Sequence, residues 1–157
     1  MVELRYYQEG DDVALHHIYY RAVHEGTKQH YNENERRAWA PRDTPNPDWE
    51  PRLSDQITLV AIDDAGTRLG FMTLGYDGHL DFAYVLPDVM GKGVATMLHD
   101  GIVYVARALN MHKLDTEASH LARRFFLRQG WLEVRENRTD RYGVTLTNFW
   151  MHLKLTD

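Results

Sequence analysis

The chain has 157 residues, 43% of them apolar and 26% charged, a length and balance that fit one folded domain and exclude a disordered chain. Its formal net charge is −5, with acidic and basic residues interspersed, which argues against a nucleic-acid binder, whose affinity rests on neutralising phosphates. There are no cysteines, so disulfides and thiolate metal sites are excluded, and apolar runs such as Ile57–Ile62 are too short to span a bilayer.

The opening Met1-Val2-Glu3-Leu4-Arg5 has neither the basic start nor the apolar stretch of a secretory signal, so the expected compartment is the cytoplasm. Glu3–Tyr7 reads as a first strand. Gly10-Asp11-Asp12 then opens a helix whose Leu15, Ile18, Tyr19 and Ala22 follow helical spacing, with Gly26 as its stop. From His30 to Asp55 the chain carries Trp39, Trp49 and four prolines, and reads as short helical pieces joined by turns that cover a cleft.

Ile57–Ile62, the turn Asp63-Asp64-Ala65-Gly66 and Leu69–Leu74 form a hairpin, and Leu80–Leu86 is a third consecutive strand. A long helix is predicted from about Gly91 to Leu109, with Val94, Leu98, Ile102, Val105 and Leu109 as its apolar stripe and His99 mostly off it. Lys113–Glu117 reads as a strand, Ser119 as the cap of a helix through Gln129, and Trp131–Val134 with Thr145–Leu155 as a closing antiparallel pair. The order β-α-α-β-β-β-α-β-α-β-β belongs to a mixed α/β or α+β sheet in a single domain over residues 1–157.

Chemistry concentrates at Tyr84-Val85-Leu86-Pro87-Asp88-Val89-Met90-Gly91-Lys92-Gly93-Val94-Ala95-Thr96. A strand ends at a proline, a glycine-bearing turn follows, and a periodic helix begins. The first turn of a helix leaves backbone N–H groups unpaired and carries the positive end of the dipole, so glycines there suit close approach by a phosphate. The same residues also serve as a plain turn between strand and helix. Thr96 stands where a dinucleotide fingerprint needs its last glycine, and no properly spaced Gly-Lys-Ser/Thr follows, so neither common nucleotide motif is present.

Met90-Gly91-Lys92-Gly93-Val94-Ala95 resembles the Gln/Arg-x-x-Gly-x-Gly/Ala signature of the GNAT superfamily of N-acetyltransferases. Downstream, the segment from Ala118 to Trp131 resembles that family's Asn-x-x-Ala-x-x-Phe-Tyr-x-x-x-Gly-Phe block, with Ser119, Phe126 and Trp131 replacing Asn, Tyr and Phe. Arg37-Ala38-Trp39-Ala40-Pro41, with Trp49 and Arg52, is similar to the YafP-type bacterial members.

The resemblance implies a mostly antiparallel, six- to seven-stranded sheet with helices on both faces. It implies acetyl-CoA as donor and a small-molecule or peptide amine as acceptor; with no His-Glu-x-x-His, and with His16 and His17 adjacent on different helix faces, no metal centre is expected. Neither nucleic acid nor membrane is an expected partner, and a homodimer would pair through the final strands. The pyrophosphate would rest on backbone N–H groups of Gly91, Lys92, Gly93, Ala95 and Thr96, with Ser119 either touching the cofactor or only capping its helix. The pantetheine arm would pair with the backbone of Tyr84 and Val85, which requires the strands flanking the signature helix to part at one end.

An alkyl ammonium titrates near pH ~10, so a base must take its proton. The resemblance offers Asp81 or His79, with 79, 81, 83 and 85 expected on one strand face, Glu117 as a further option, and the Val85 N–H as oxyanion donor. Asp81 reads equally as the partner of an arginine, and His79 as a solvated turn residue. Phe126 removes the usual tyrosine acid; Tyr142, Tyr104 and Tyr84 are the alternative hydroxyls. Arg123, Arg124 and Arg128 read either as ribose-phosphate partners or as solvated helix face. A coenzyme-binding protein without transfer activity is the rival reading that Phe126 raises.

Overall fold

A computed structural model describes residues 1–156. In chain order the elements are β1 (Glu3–Tyr6), α1 (Asp12–Gly26), α2 (Glu33–Trp39), α3 (Trp49–Ser54), β2 (Ile57–Ile62), β3 (Arg68–Leu74) and β4 (His79–Val85). A 3-10 turn (Pro87–Val89) leads into α4 (Val94–Ala108), followed by β5 (Lys113–Ala118), α5 (His120–Arg128), β6 (Leu132–Arg141) and β7 (Val144–Lys154). The seven strands form one sheet in the order β1-β2-β3-β4-β5-β7-β6, and only the β4–β5 neighbours run parallel. The expected mixed, mostly antiparallel sheet is therefore what the chain forms. Among the described residues no helix is long and apolar enough to cross a membrane.

β2 is buried on both faces, which is why its sequence is a continuous apolar run without alternation. Ile57, Leu59 and Ala61 join the larger core under α4 and α5, with Leu98, Ile102, Leu114, Phe126, Trp131 and Met151. Val60 faces the other way, into a smaller core with Phe71, Phe82, Leu15, Ile18, Trp49 and Leu53 under α1 and α3. Helices thus cover both faces, and β4 contributes to each core.

The short helical pieces expected between residues 30 and 55 are present, and three other features depart from the sequence expectation. The segment 30–55 supplies two short helices; α2 opens with a capping box in which Asn32 and Glu35 satisfy each other's backbone N–H groups. β6 runs on from Val134 to Arg141, as an edge strand paired only with β7. Its charged residues face solvent, so it lacks the apolar alternation that marks a half-buried strand. α4 stops at Ala108, leaving Leu109 half exposed, and Ala106 closes its buried stripe. His99 lies within that buried stripe because its Nε2 accepts the Trp131 indole N–H at 2.9 Å.

The start of α1 is pinned by Asp11, which is 1% exposed. It accepts two bonds from Arg5 on β1 at 2.7 and 2.9 Å, one from Arg68 on β3 at 3.0 Å and one from the Gln8 N–H at 2.8 Å. Burial alone would raise its pKa, but the Arg5, Gln8 and Arg68 hydrogen bonds outweigh it and hold the carboxyl at about 2. Because the folded pKa is depressed, this stabilisation is complete above the unfolded carboxylate range and is lost as pH falls toward about 2. Asp11→Asn should cost about 2–3 kcal/mol in urea unfolding at pH ~7, since two arginines lose a buried partner. The gap between the variant and the parent protein should shrink when the same measurement is made at pH ~3.

Candidate functional site

β4 and β5 pair at only two positions, His79 with Asp115 and Leu80 with Thr116. Beyond them the strands part, although β4 continues to Val85 and β5 to Ala118. The expected opening beside the signature helix is present. What faces it follows from the antiparallel ladder. The Leu86 N–H donates to the Leu69 carbonyl at 2.8 Å, and Phe71 stands opposite Tyr84. Hydrogen-bonded and non-bonded pairs alternate, so the Tyr84 peptide groups turn toward β3, while those of Ala83 and Val85 turn into the gap. The backbone edge is therefore Ala83 and Val85; Tyr84 contributes its side chain instead.

The strand's side chains do not alternate simply either. Thr73 stands opposite Phe82 and Leu74 opposite Leu80, which makes Asp81 the extra residue of a β-bulge. Leu80, Ala83 and Val85 pack toward the α4 side, whereas Phe82 and Tyr84 pack with the residues under α1 and α3. The expected common face for 79, 81, 83 and 85 does not exist: the bulge shifts the pattern by one residue.

At the mouth of the gap the chain turns through Gly91 and Gly93, with φ of +79° and +87°. Side chains rarely adopt that region, and nothing lies within 4 Å of where a Cβ would stand at either position. Among the described residues the N–H groups of Gly91, Gly93, Val94, Ala95 and Thr96 have no partner, while the Lys92 N–H is engaged by the Val89 carbonyl at 3.2 Å. The loop is exposed and open, with unpaired donors and the Lys92 side chain beside them. This fits a diphosphate held by backbone amides, with Lys92 acting through its charge rather than its amide.

On the α1–α3 side of the sheet lies a cavity of about 670 Å³ lined by α1, α2, α3, the loop between α2 and α3, β4, β5 and the tip of the β6–β7 hairpin. His79 and Asp81 both line it but differ in kind. Asp81 is clamped by Arg52 at 2.8 and 3.3 Å and by Gln56 at 3.0 Å, and the Arg52 guanidinium also lies over the Phe82 ring. Three donors to one carboxylate occupy most of its lone pairs. His79 instead has Nδ1 2.6 Å from Asp115 Oδ1 and stacks on Trp150. A carboxylate on Nδ1 sets the tautomer and leaves Nε2 as the proton acceptor.

Tyr19 and Tyr84 contact each other in the same cavity, with ring centroids 5.1 Å apart. Burial pushes the Tyr19 phenol up to about 12, and burial raises Tyr84 further, so both stay protonated donors. Tyr142 sits at the hairpin tip and also lines the cavity; Tyr104 is on the exposed side of α4 and does not. Phe126 is 1% exposed and packed against Trp131 and His99. Ser119 caps α5, accepting the Ala122 N–H at 3.1 Å, and lines the cavity as well. Arg123 pairs with Glu133, and Arg124 and Arg128 face solvent. Trp49 is core and cavity wall at once, its indole N–H donating to the Asp12 carbonyl.

Several residues of the site escaped the sequence reading. Asp115 is one, because its role depends on β5 lying parallel beside β4. Arg141 and Leu146 through Asn148 are others, placed by the tight turn at Tyr142-Gly143, whose φ values of 52° and 78° mark a two-residue hairpin connection. That Tyr-Gly pair between polar runs was the available signal. Tyr31 secures this wall: its hydroxyl donates to the Thr147 carbonyl at 2.6 Å and accepts the His120 N–H at 3.1 Å.

Comparison with known proteins agrees with this geometry. A family model described as "Acetyltransferase (GNAT) domain" matches residues 27–153. An uncharacterized N-acetyltransferase, YafP, of Escherichia coli strain K12 is 31% identical over 153 residues, covering 98% of this chain and 96% of that protein. The crystal structure of a GCN5-related N-acetyltransferase from Rhodopseudomonas palustris, described as "Aminotransferase, Class-II", matches with a TM-score of 0.89 at 30% identity, over 97% of this chain and 94% of that one. A GNAT superfamily phosphinothricin acetyltransferase (Pat) from Sinorhizobium meliloti, in complex with AcCoA, matches with a TM-score of 0.73 over 99% of this chain and 89% of that one; at 19% identity the likeness is one of fold.

Tyr31→Phe should leave the Thr147 carbonyl and the His120 N–H without their partner. A loss of about 1–2 kcal/mol in urea unfolding is expected. Amide exchange should quicken at the β6–β7 tip while the α4 amides keep their protection.

Proposed function

The chain belongs to the GNAT acetyltransferase family, and from that premise we propose that it transfers an acetyl group from acetyl-CoA to a primary amine bound in the cavity under α1–α3. The observation that carries this reading is the parting of β4 and β5. It sets an unpaired strand edge and the open amides of the Gly91–Thr96 turn on one side of the gap, and the His79–Asp115 pair on the other.

Gly91, Gly93, Ala95 and Thr96 would hold the pyrophosphate through their N–H groups, with Lys92 adding charge and Ser119 its free hydroxyl proton. The peptide groups of Ala83 and Val85 would align the pantetheine arm, and the Val85 N–H would donate to the thioester carbonyl oxygen. The donor supplies a thioester carbonyl; attack by the amine forms the C–N bond and breaks the C–S bond. His79 Nε2 takes one proton from the bound ammonium so that its lone pair is available, and Asp115 stabilises the imidazolium that results. The departing thiolate takes its proton from the Tyr84 or Tyr142 hydroxyl, the second proton on the nitrogen restores that hydroxyl as the amide forms, and the imidazolium returns its proton to solvent. Asp81 in this scheme is a structural clamp on Arg52.

The rival, a binding protein without transfer, draws on the loss of the tyrosine at Phe126. That ring is shut in the core, whereas Tyr84 and Tyr142 reach the cavity, which favours transfer.

Gly93→Glu should abolish acetyl-CoA binding by equilibrium dialysis, a loss of at least ~100-fold, because a carboxylate would stand in the phosphate site. Gly93→Ala shares the backbone strain, about 1–2 kcal/mol, without the charge, and should lose far less. Equal losses in the two folded variants would show that strain rather than the cradle is responsible.

His79→Gln should lower kcat/KM for thiol release by about 10²–10⁴ and remove the ascending limb of its pH profile. Asp81→Asn should leave that limb in place. An unchanged profile in His79→Gln would remove it as the base.

A further inference from the structure

The free charge in the cavity has a sign opposite to that of the chain. Its walls carry Arg42, Arg52 and Arg141 against Asp81 and Glu117. Arg52 is committed to Asp81. Arg42 and Arg141 have no hydrogen-bond or ion-pair partner among the described residues, in a protein whose net charge is −5. A protein with surplus carboxylates that leaves two guanidiniums unpaired around one cavity presents an anion site there.

Arg141 is also set apart from the free carboxylate of Glu117. Arg141 ends β6 at the Tyr142-Gly143 turn and lies near enough to Tyr19 and Tyr84 for its charge to act on both phenols. Arg42 comes from the loop between α2 and α3. The proton-accepting His79 and the unpaired carboxylate of Glu117 belong to the other end, where β4 and β5 still touch or have just parted. Along β7, Glu117 stands opposite Trp150 and Arg141 opposite Val144, six residues away. Tyr19, Trp39 and Tyr84 form the wall between. The volume, about 670 Å³, falls within the range of about 300–1,000 Å³ that suits one small molecule.

We propose that the acceptor is a small amino-acid-type molecule, a primary amine that also bears a carboxylate, its nitrogen toward His79 and Glu117 and its carboxylate on the Arg141 guanidinium, with Arg42 adding positive charge from the wall of the same cavity. A guanidinium meets a carboxylate through two parallel N–H donors, which makes this contact selective as well as strong. The inference rests on the transferase reading for turnover, but not for binding.

The test uses the full chain saturated with acetyl-CoA and two matched pairs of probes: phenylalanine with phenethylamine, and 6-aminohexanoate with hexylamine. The pairs differ in the spacing between nitrogen and carboxylate. Thiol release measures turnover, and quenching of tryptophan fluorescence measures binding, since Trp39 and Trp49 line the cavity. The expected result is that at least one carboxylated probe exceeds its decarboxylated partner by about tenfold or more, the effect of one charge-assisted hydrogen bond. Arg141→Gln should narrow that ratio to within about threefold, through the KM of the carboxylated probe.

Equal or better use of the decarboxylated amines, or a ratio that Arg141→Gln leaves unchanged, overturns the proposal. So does an absence of both quenching and turnover with all four probes while acetyl-CoA still binds. Quenching by a carboxylated probe that weakens about tenfold in Arg141→Gln, without thiol release, upholds the anion site and sinks the transferase reading instead.

Discussion

A sheet that fails to close along one seam governs this molecule. Strands β4 and β5 share two paired positions and then separate, although both continue. Unpaired backbone groups inside a sheet are costly unless something takes their place. The carbonyl of Leu80 shows the boundary: it still finds the Thr116 hydroxyl, at 2.8 Å. From Ala83 onward the β4 edge has nothing opposite it, and a linear polar chain such as a pantetheine arm is the kind of group that would complete the ladder. The glycine turn at one end of the seam and the imidazole at the other gain their meaning from this gap.

Two cores make the gap tolerable. The larger one under α4 and α5 ties β5 and β7 to the first half of the sheet, so the halves stay joined although the seam is open. The smaller one under α1 and α3 leaves room beside it, and that room is the cavity. Aromatic residues serve both purposes there: Trp49 packs on Phe71 and Phe82 and still forms part of the wall. Rigidity and access come from the same side chains.

Much of this was legible in the sequence, for identifiable reasons. The hairpin series, α4 and the Gly91–Gly93 turn carry strong local signals, namely apolar runs bounded by turns, a helical stripe and glycines at a strand-to-helix junction. The features that were not legible depend on a count of one or on a neighbour far along the chain. A single extra residue at Asp81 reversed the facing of the positions that follow it, and nothing in the local sequence announces a bulge. Asp115 acquires its role only by lying beside His79, 36 residues away. β6 stayed hidden beyond Val134 because an edge strand exposed on both faces has no apolar rhythm to read. The alternative that Asp81 serves an arginine was open from the start, and Arg52 is that arginine.

The connection between β6 and β7 is only two residues long, at the edge of the cavity, and neither residue belongs to a core. Lengthening or recasting it would therefore reshape the entrance while leaving the seam and the glycine turn as they are. Chains of this fold with longer or differently charged tips would present a different cavity beside an unchanged glycine turn, so what the cavity admits can drift without the fold being renegotiated.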